Sequence, residues 1–184
     1  MKHGVILAAG LAFAASAAVS DPKYNDDGEM FLPEGYETWV FVGANLGLGY
    51  TSEPAVSPEV FHNVYIEPGA YAHFMDTGDF PDPTQFVFEA YSSAAKIADP
   101  VLNAGQFNDK LLAVEAAIKD SNRPTYEGST EIWAYYEFKA DDGVPAQTAT
   151  AFPDSVCWQC HDQHAGYDNV WVQFYPRLKA RLEN

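Results

Sequence analysis

Apolar and polar residues alternate over several short stretches of this chain, and no stretch keeps the spacing of a long amphipathic helix. Over residues 59–66, Phe61, Asn63 and Tyr65 alternate with Val60, His62, Val64 and Ile66, which predicts a strand. Residues 85–91 predict a second strand with Phe86 and Phe88 on one face. Residues 111–119 have the alanine content of a helix. Their apolar Leu112, Val114, Ala116 and Ile118 nevertheless alternate with Ala113, Glu115, Ala117 and Lys119, so the period of two decides for strand. Residues 132–139 predict an aromatic strand.

Breakers and caps divide these stretches. Residues 21–29 are polar and read as loose chain. Residues 33–39 suggest a short helical turn, with Trp39, Val40, Phe41 and Val42 leading into extended chain. Residues 43–58 are rich in Gly, Ser and Pro and predict a long loop. Residues 68–77 predict a short helix, opened by Pro68 and closed by Gly78. Residues 79–83 form a turn cluster, residues 140–143 end the aromatic strand, and residues 170–182 read as strand or helix interrupted by Pro176. There is no internal repeat. A run of strands with a few short helices predicts an α+β fold, mainly antiparallel sheet. It excludes a four-helix bundle, which needs long helical periodicity.

The chemistry is concentrated in Cys157-Trp158-Gln159-Cys160-His161, a C-x-x-C-H site of the kind that attaches c-type haem. Thiols three residues apart share one side of a helical turn, so each can add to one haem vinyl group, and the adjacent His161 can point its imidazole at the iron. Cys157, Cys160 and His161 are therefore the candidate cofactor-binding residues, with His161 the metal ligand of one covalent haem c. A redox dithiol needs no following His and usually sits in a βαβ pattern, which is not seen here. Zinc would need four ligands crowded into eight residues with His164, against the usual wide loop between pairs.

The N-terminus adds to this picture. Met1-Lys2-His3 is a short basic start, the next eleven residues are apolar, and Ala15-Ser16-Ala17 is a small-residue cleavage pattern. Residues 1–20 are read as a signal peptide, cut near residues 17–20, leaving residues 21–184 as a single haem domain with no membrane span. Covalent haem attachment takes place outside the cytoplasm, so a periplasmic location agrees with the motif. The chain has 10 basic and 26 acidic residues, a formal charge of −16. Such an acidic surface repels nucleic acid and anionic lipid, and it keeps the protein soluble.

Seven pieces of the chain, in order, resemble the cytochrome P-460 family: Tyr36-Glu37-Thr38-Trp39-Val40-Phe41-Val42-Gly43, Phe61-His62-Asn63-Val64-Tyr65-Ile66-Glu67-Pro68, Tyr71-Ala72-His73-Phe74, Thr77-Gly78-Asp79-Phe80-Pro81-Asp82, Val114-Glu115-Ala116-Ala117-Ile118-Lys119-Asp120, Trp133-Ala134-Tyr135-Tyr136, and Cys160-His161-Asp162-Gln163-His164-Ala165 through Phe174-Tyr175-Pro176. The resemblance implies a homodimer of antiparallel-sheet domains and a five-coordinate haem, with His161 proximal and the other face open. Cytochromes P-460 carry a lysine on the strand after the Thr-Gly-x-Phe turn, bonded to the haem edge. Here that position is Phe88, and Lys96 is the nearest lysine downstream. The missing lysine moves the resemblance to the β-sheet cytochromes c′, cytochrome c′-beta, which have phenylalanines over the open iron face. It implies Phe61 and Phe88 as the residues lining that face, with plain core packing as the alternative for both.

Other residues give weaker signals. His62, His73, Met30 and Met75 are possible sixth ligands, but each reads better as a surface or hydrogen-bonded residue. Asp162, His164 and Asp168 could orient His161 or meet a haem propionate, as could Lys119, Arg123, Arg177 and Lys179 for the propionates. An open iron with an apolar face suits nitric oxide and carbon monoxide, which depend less on hydrogen-bond donors than O₂ does. The other functions left open are a hydroxylamine-oxidising or peroxide-reducing enzyme and simple electron transfer with a redox partner.

Overall fold

The structure, a computed structural model, describes residues 18–49, 59–96 and 104–183. The predicted leader lies outside these residues as far as Ala17. So do residues 50–58 of the predicted loop and the side chain of Lys96.

Chain order is β1 (Met30–Phe31), a 3₁₀ turn at Tyr36–Thr38, β2 (Val40–Leu46), β3 (Val60–Ile66), α1 (Pro68–Thr77), β4 (Thr84–Lys96), β5 (Gly105–Lys119), β6 (Trp133–Asp141), β7 (Val144–Pro145), β8 (Thr148–Ala149), α2 (Trp158–His164), a second 3₁₀ turn at Val172–Phe174, and α3 (Pro176–Leu182). β2 to β7 form one sheet in sequence order, every pair antiparallel, and β1 pairs with β8 apart from it. The predicted α+β class, mainly antiparallel with a few short helices, is the class found.

The local signals act where they were read. Pro68 sits in the first turn of α1, where a missing N–H costs nothing, and the Glu67 side chain accepts the Ala70 N–H at 2.7 Å as the N-cap. Gly78 ends the helix at φ 89°, donating its N–H to Phe74. Pro176 likewise opens α3 and does not interrupt it.

Three expectations are corrected. Residues 43–46 belong to β2 and not to a loop. Gly43 is glycine because the chain at Phe174 and Tyr175 crosses close by: a Cβ there would lie 3.0 Å from the Tyr175 ring. β4 and β5 run well beyond the predicted 85–91 and 111–119, into polar stretches whose backbone pairing continues. Residues 21–29 are tied down, not loose: Tyr24 bridges to Met30 and donates its phenol to Asp120 at 3.1 Å, and the Asn25 side chain accepts from Asp27 and Glu29. These ties run to a residue 96 positions away, which no local pattern reveals.

Alternation gives the main sheet two different faces. Val87, Val114, Ile118, Tyr136 and Phe138 pack on one, under Met30, Tyr36 and Ala149. Glu89 is buried on this face and accepts hydrogen bonds from three phenols, Tyr36, Tyr65 and Tyr91. Val64, Ile66, Phe86, Trp133 and Tyr135 face the other way, toward α1, α3 and the segment around Val170. On that second face the register aligns Val64, Phe88, Glu115 and Glu137 in one cross-strand row, and Ile66, Phe86, Ala117 and Tyr135 in the next.

Candidate functional site

The second face of the sheet carries a half-open cavity, bordered on the outside by the C-terminal segment around Trp171 and Tyr175. It has two adjoining parts of about 300 and 330 Å³. Phe88, Glu115, Cys160, Trp171 and Tyr175 line both parts. The combined space is in the size range of cofactor sites. Its first part is mostly apolar, with Val64, Phe86, Ala117 and Phe152 opposite Cys157, Cys160 and His161.

α2 presents the motif. Cys157 is its N-cap residue and His161 lies one turn on, with the His161 N–H donating to the Cys157 carbonyl at 3.1 Å. The approach to α2 is pinned by Asp154, which accepts from the Thr130 N–H and hydroxyl. Cys157 and Cys160 form no disulfide. Burial pushes the Cys157 thiol up to about 11, with Glu115 adding to the shift, so the thiol is neutral at physiological pH.

His161 is held at both ring nitrogens. Its Nδ1 donates to the Asn169 carbonyl at 2.8 Å, and its Nε2 accepts the Trp171 indole N–H at 3.1 Å. Donation from Nδ1 fixes the tautomer that leaves the lone pair on Nε2, the atom a metal takes. Burial lowers the His161 pKa and keeps the ring neutral, while the Asn169 contact opposes that shift. Tyr135 packs on the ring at 4.2 Å between centroids.

The carbonyl that orients His161 sits in a strained turn. Asp168 and Asn169 have φ of 43° and 59°, and Tyr167 bridges to Val170 across them. Asp168 anchors the turn to the sheet, accepting from the Trp133 indole at 3.0 Å and from Lys119 at 2.9 Å. Asp168 thus acts on His161 through its neighbour's carbonyl.

The predicted site residues divide clearly. Cys157, Cys160, His161 and Phe88 come together around the cavity. Phe61 does not: along β3, His62 and Val64 face the cavity, and Phe61 points to the opposite face with Tyr65. Strand membership was right for Phe61 and its face was not, because a one-residue offset reverses the side chain. Of the possible sixth ligands, only His62 lines the cavity. Its Nδ1 donates to Asn45 at 2.9 Å and its ring lies 4.7 Å from that of Phe88. Met30 is buried on the far side of the sheet and His73 is exposed on α1. Lys119 is engaged by Asp168, and Arg123 is buried, donating to the carbonyls of Glu131 and Pro124. Arg177 is exposed, and Lys179 pairs with Glu183 on the surface of α3. Among the described residues no three His, Cys, Asp or Glu side chains gather as a metal-ion site would need.

Glu115, Tyr135, Asn169 and Trp171 were not singled out from the sequence. For Glu115 a signal was present: it is the one acid in the row Ala113, Glu115, Ala117, which shares a face with Phe86 and Phe88. Burial and the nearby Glu137 push its carboxyl up to about 7.

Two thiols and an imidazole held in one tautomer, facing an apolar cavity, fit a haem. An antiparallel-sheet haem protein is the class that fold and site define together. The chain belongs to the cytochrome P460 family, whose model matches residues 33–172, and it is a haem protein of the P460 and c′-beta kind. No curated protein matches the chain.

Removing the Asp168 carboxylate leaves the buried Trp133 N–H and the Lys119 ammonium without their acceptor. Asp168→Ala should cost about 1–3 kcal/mol in urea unfolding. It should also shift the NMR signal of the His161 Nδ1 proton, whose acceptor Asn169 the Asp168 anchor holds in place, whereas an effect on stability alone would leave that signal where it is.

Proposed function

We propose that this protein is an exported mono-haem cytochrome of the c′-beta kind that binds nitric oxide, and also carbon monoxide, at a five-coordinate iron. One haem c would be held by Cys157 and Cys160, each S–H adding across a vinyl group, with His161 Nε2 on the iron. The haem would supply the ligand-binding metal.

The observation that carries this reading is the cavity wall at Phe88. By resemblance this position holds the cross-linking lysine of cytochromes P-460. Here it is a phenylalanine in the wall of both parts of the cavity, and among the described side chains, which do not include that of Lys96, no lysine lines either part. Phe88, Phe86 and Val64 make their part of that wall apolar, and an apolar wall weakens O₂ stabilisation more than it weakens nitric oxide binding. His161 needs no proton rearrangement to ligate, since Asn169 already holds Nδ1–H.

Export belongs to the same proposal. Val19 packs against the core beside α1, and Ser20 accepts from the Gln85 side chain. Cleavage after Ala17 would keep both contacts. No described helix is long and apolar enough to cross a membrane. For a homodimer, Phe41 and Leu112 are exposed apolar residues on the sheet face away from the cavity.

A second reading has its own observation. His62 and Glu115 line the part of the cavity beside Phe88. A histidine and a carboxyl are proton-transfer groups of the kind a hydroxylamine-oxidising or peroxide-reducing site uses. Steady-state turnover of hydroxylamine with an artificial electron acceptor would move the protein to that class. Simple electron transfer would need a sixth ligand, and a high-spin resting spectrum counts against it.

Cys157→Ala with Cys160→Ala should release the haem into acidic organic solvent, whereas haem in the wild-type protein stays with the chain. Release from the wild type would end the thioether reading. In the ferrous wild-type protein, nitric oxide should change the optical spectrum, and the strongly red-shifted band of lysine-linked relatives should be missing. A ferrous spectrum that ignores nitric oxide would overturn the ligand-binding function.

Phe88→Ala should speed carbon monoxide and nitric oxide binding in stopped-flow measurements, because a bulky apolar group is removed from the cavity wall. It should also destabilise the fold, by less than the ~3–5 kcal/mol of a fully buried phenylalanine, because Phe88 is only partly buried. Unchanged on-rates in the folded variant would assign Phe88 to packing alone.

A further inference from the structure

Glu115 is a cavity carboxyl that the ligand-binding reading does not use. It stands on β5 between Phe88 of β4 and Glu137 of β6, in register with both. It lines both parts of the cavity, on the wall facing Cys160. Among the described residues, no donor is hydrogen-bonded to its carboxylate and no cation pairs with it. Lys139 lies 3.9 Å from Glu137, its own neighbour on β6, and is largely exposed.

No ion pair among the described residues compensates its charge. From β6, Glu137 repels it. From β3, His62 is held neutral by burial, and from α2, so is His161, while His164 of α2 also lines the second part of the cavity. The Cys157 thiol on α2 is neutral as well and would be a thioether in the haem-bound protein. The balance between carboxyl and carboxylate is therefore open to a charge that appears or disappears in the cavity. With burial and Glu137 acting together, that balance point lies at about 7.

A haem in this cavity introduces such a charge. Its oxidised iron centre carries one more positive charge than its reduced form, and in a poorly screened site that charge favours a nearby carboxylate. Losing it favours the protonated acid, and by linkage the two events drive each other. We propose that Glu115 is a redox-coupled proton site: its carboxylate takes one proton from solvent for each electron that an outer-sphere one-electron donor delivers to the haem. The electron reduces iron(III) to iron(II) and the proton forms the Glu115 O–H. No other bond changes, and oxidation returns the electron to an acceptor and the proton to solvent. This rests on the haem reading above and adds to it a dependence of electron uptake on pH.

The experiment is a spectroelectrochemical titration of the purified haem-bound protein between pH 5 and 9, after acid–solvent extraction has shown that the haem is covalent. Protein without haem would defeat the haem reading itself, separately from this inference. With haem present, the midpoint potential should fall as pH rises through a window around pH 7 and flatten on both sides. Glu115→Gln should remove the window and hold the potential near the wild-type low-pH value, since Gln mimics the neutral acid. Glu115→Asp should keep a window, and Glu137→Gln should move it to lower pH by removing the like charge. A flat wild-type profile, or a window that survives in Glu115→Gln, overturns the proposal. So does a window lost in Glu137→Gln and kept in Glu115→Gln, which would place the proton on Glu137. Redox-difference infrared spectra give an answer without any variant. A carboxylic-acid C=O band should appear on reduction and shift in D₂O, and its absence overturns the proposal.

Discussion

A β-strand shows each side chain to one face only, and this constraint organises the whole protein. Six strands paired in sequence order keep the alternation in step from β2 to β7. One face can then be filled as an ordinary core while the other stays available for a cavity. The long pairing of β4 with β5 fixes the relative position of Phe86, Phe88, Glu115 and Ala117, and so sets the cavity wall that the C-terminal segment borders. A slip of one residue in that register would exchange Phe88 for buried Glu89 and dismantle both faces at once.

The motif helix is short and contributes few contacts of its own, so the position of His161 is set from outside it. The chain of contacts runs from the sheet through Trp133 and Lys119 to Asp168, through the turn to the Asn169 carbonyl, and from there to Nδ1. Left-handed backbone at two successive non-glycine residues is costly, and the Asp168 anchor offsets part of that cost. The same arrangement decides which ring nitrogen keeps a lone pair. A backbone carbonyl does this without bringing a full charge next to the imidazole.

Buried polar groups mark a contrast between the two faces. Glu89, on the packed face, is satisfied by three phenols and works as a cross-link between strands and the Tyr36 turn. Glu115, on the cavity face, has no such partners among the described residues. Identical side chains on adjacent strands thus have opposite surroundings, one tied to three phenols and one facing a cavity, because the faces they occupy differ.

Much of this protein is legible in the sequence alone. The period of two in residues 59–66, 85–91, 111–119 and 132–139 locates four of the sheet's strands, since pleating dictates that period whatever the partner. Pro68 and Gly78 bound α1 because their backbone restrictions act locally. The C-x-x-C-H spacing identifies the helix that carries the site. The tertiary structure decided what depends on partners distant in sequence. Gly43 looked like a loop residue until Tyr175 was seen to cross it. Phe61 looked like a cavity residue until the register turned it away. Asn169 and Trp171 gained meaning only from where His161 stands, and Glu115 only from the row that sets it between Phe88 and Glu137. Local patterns are written in the order of residues, whereas faces, contacts and electrostatic surroundings arise when strands far apart in the chain are paired.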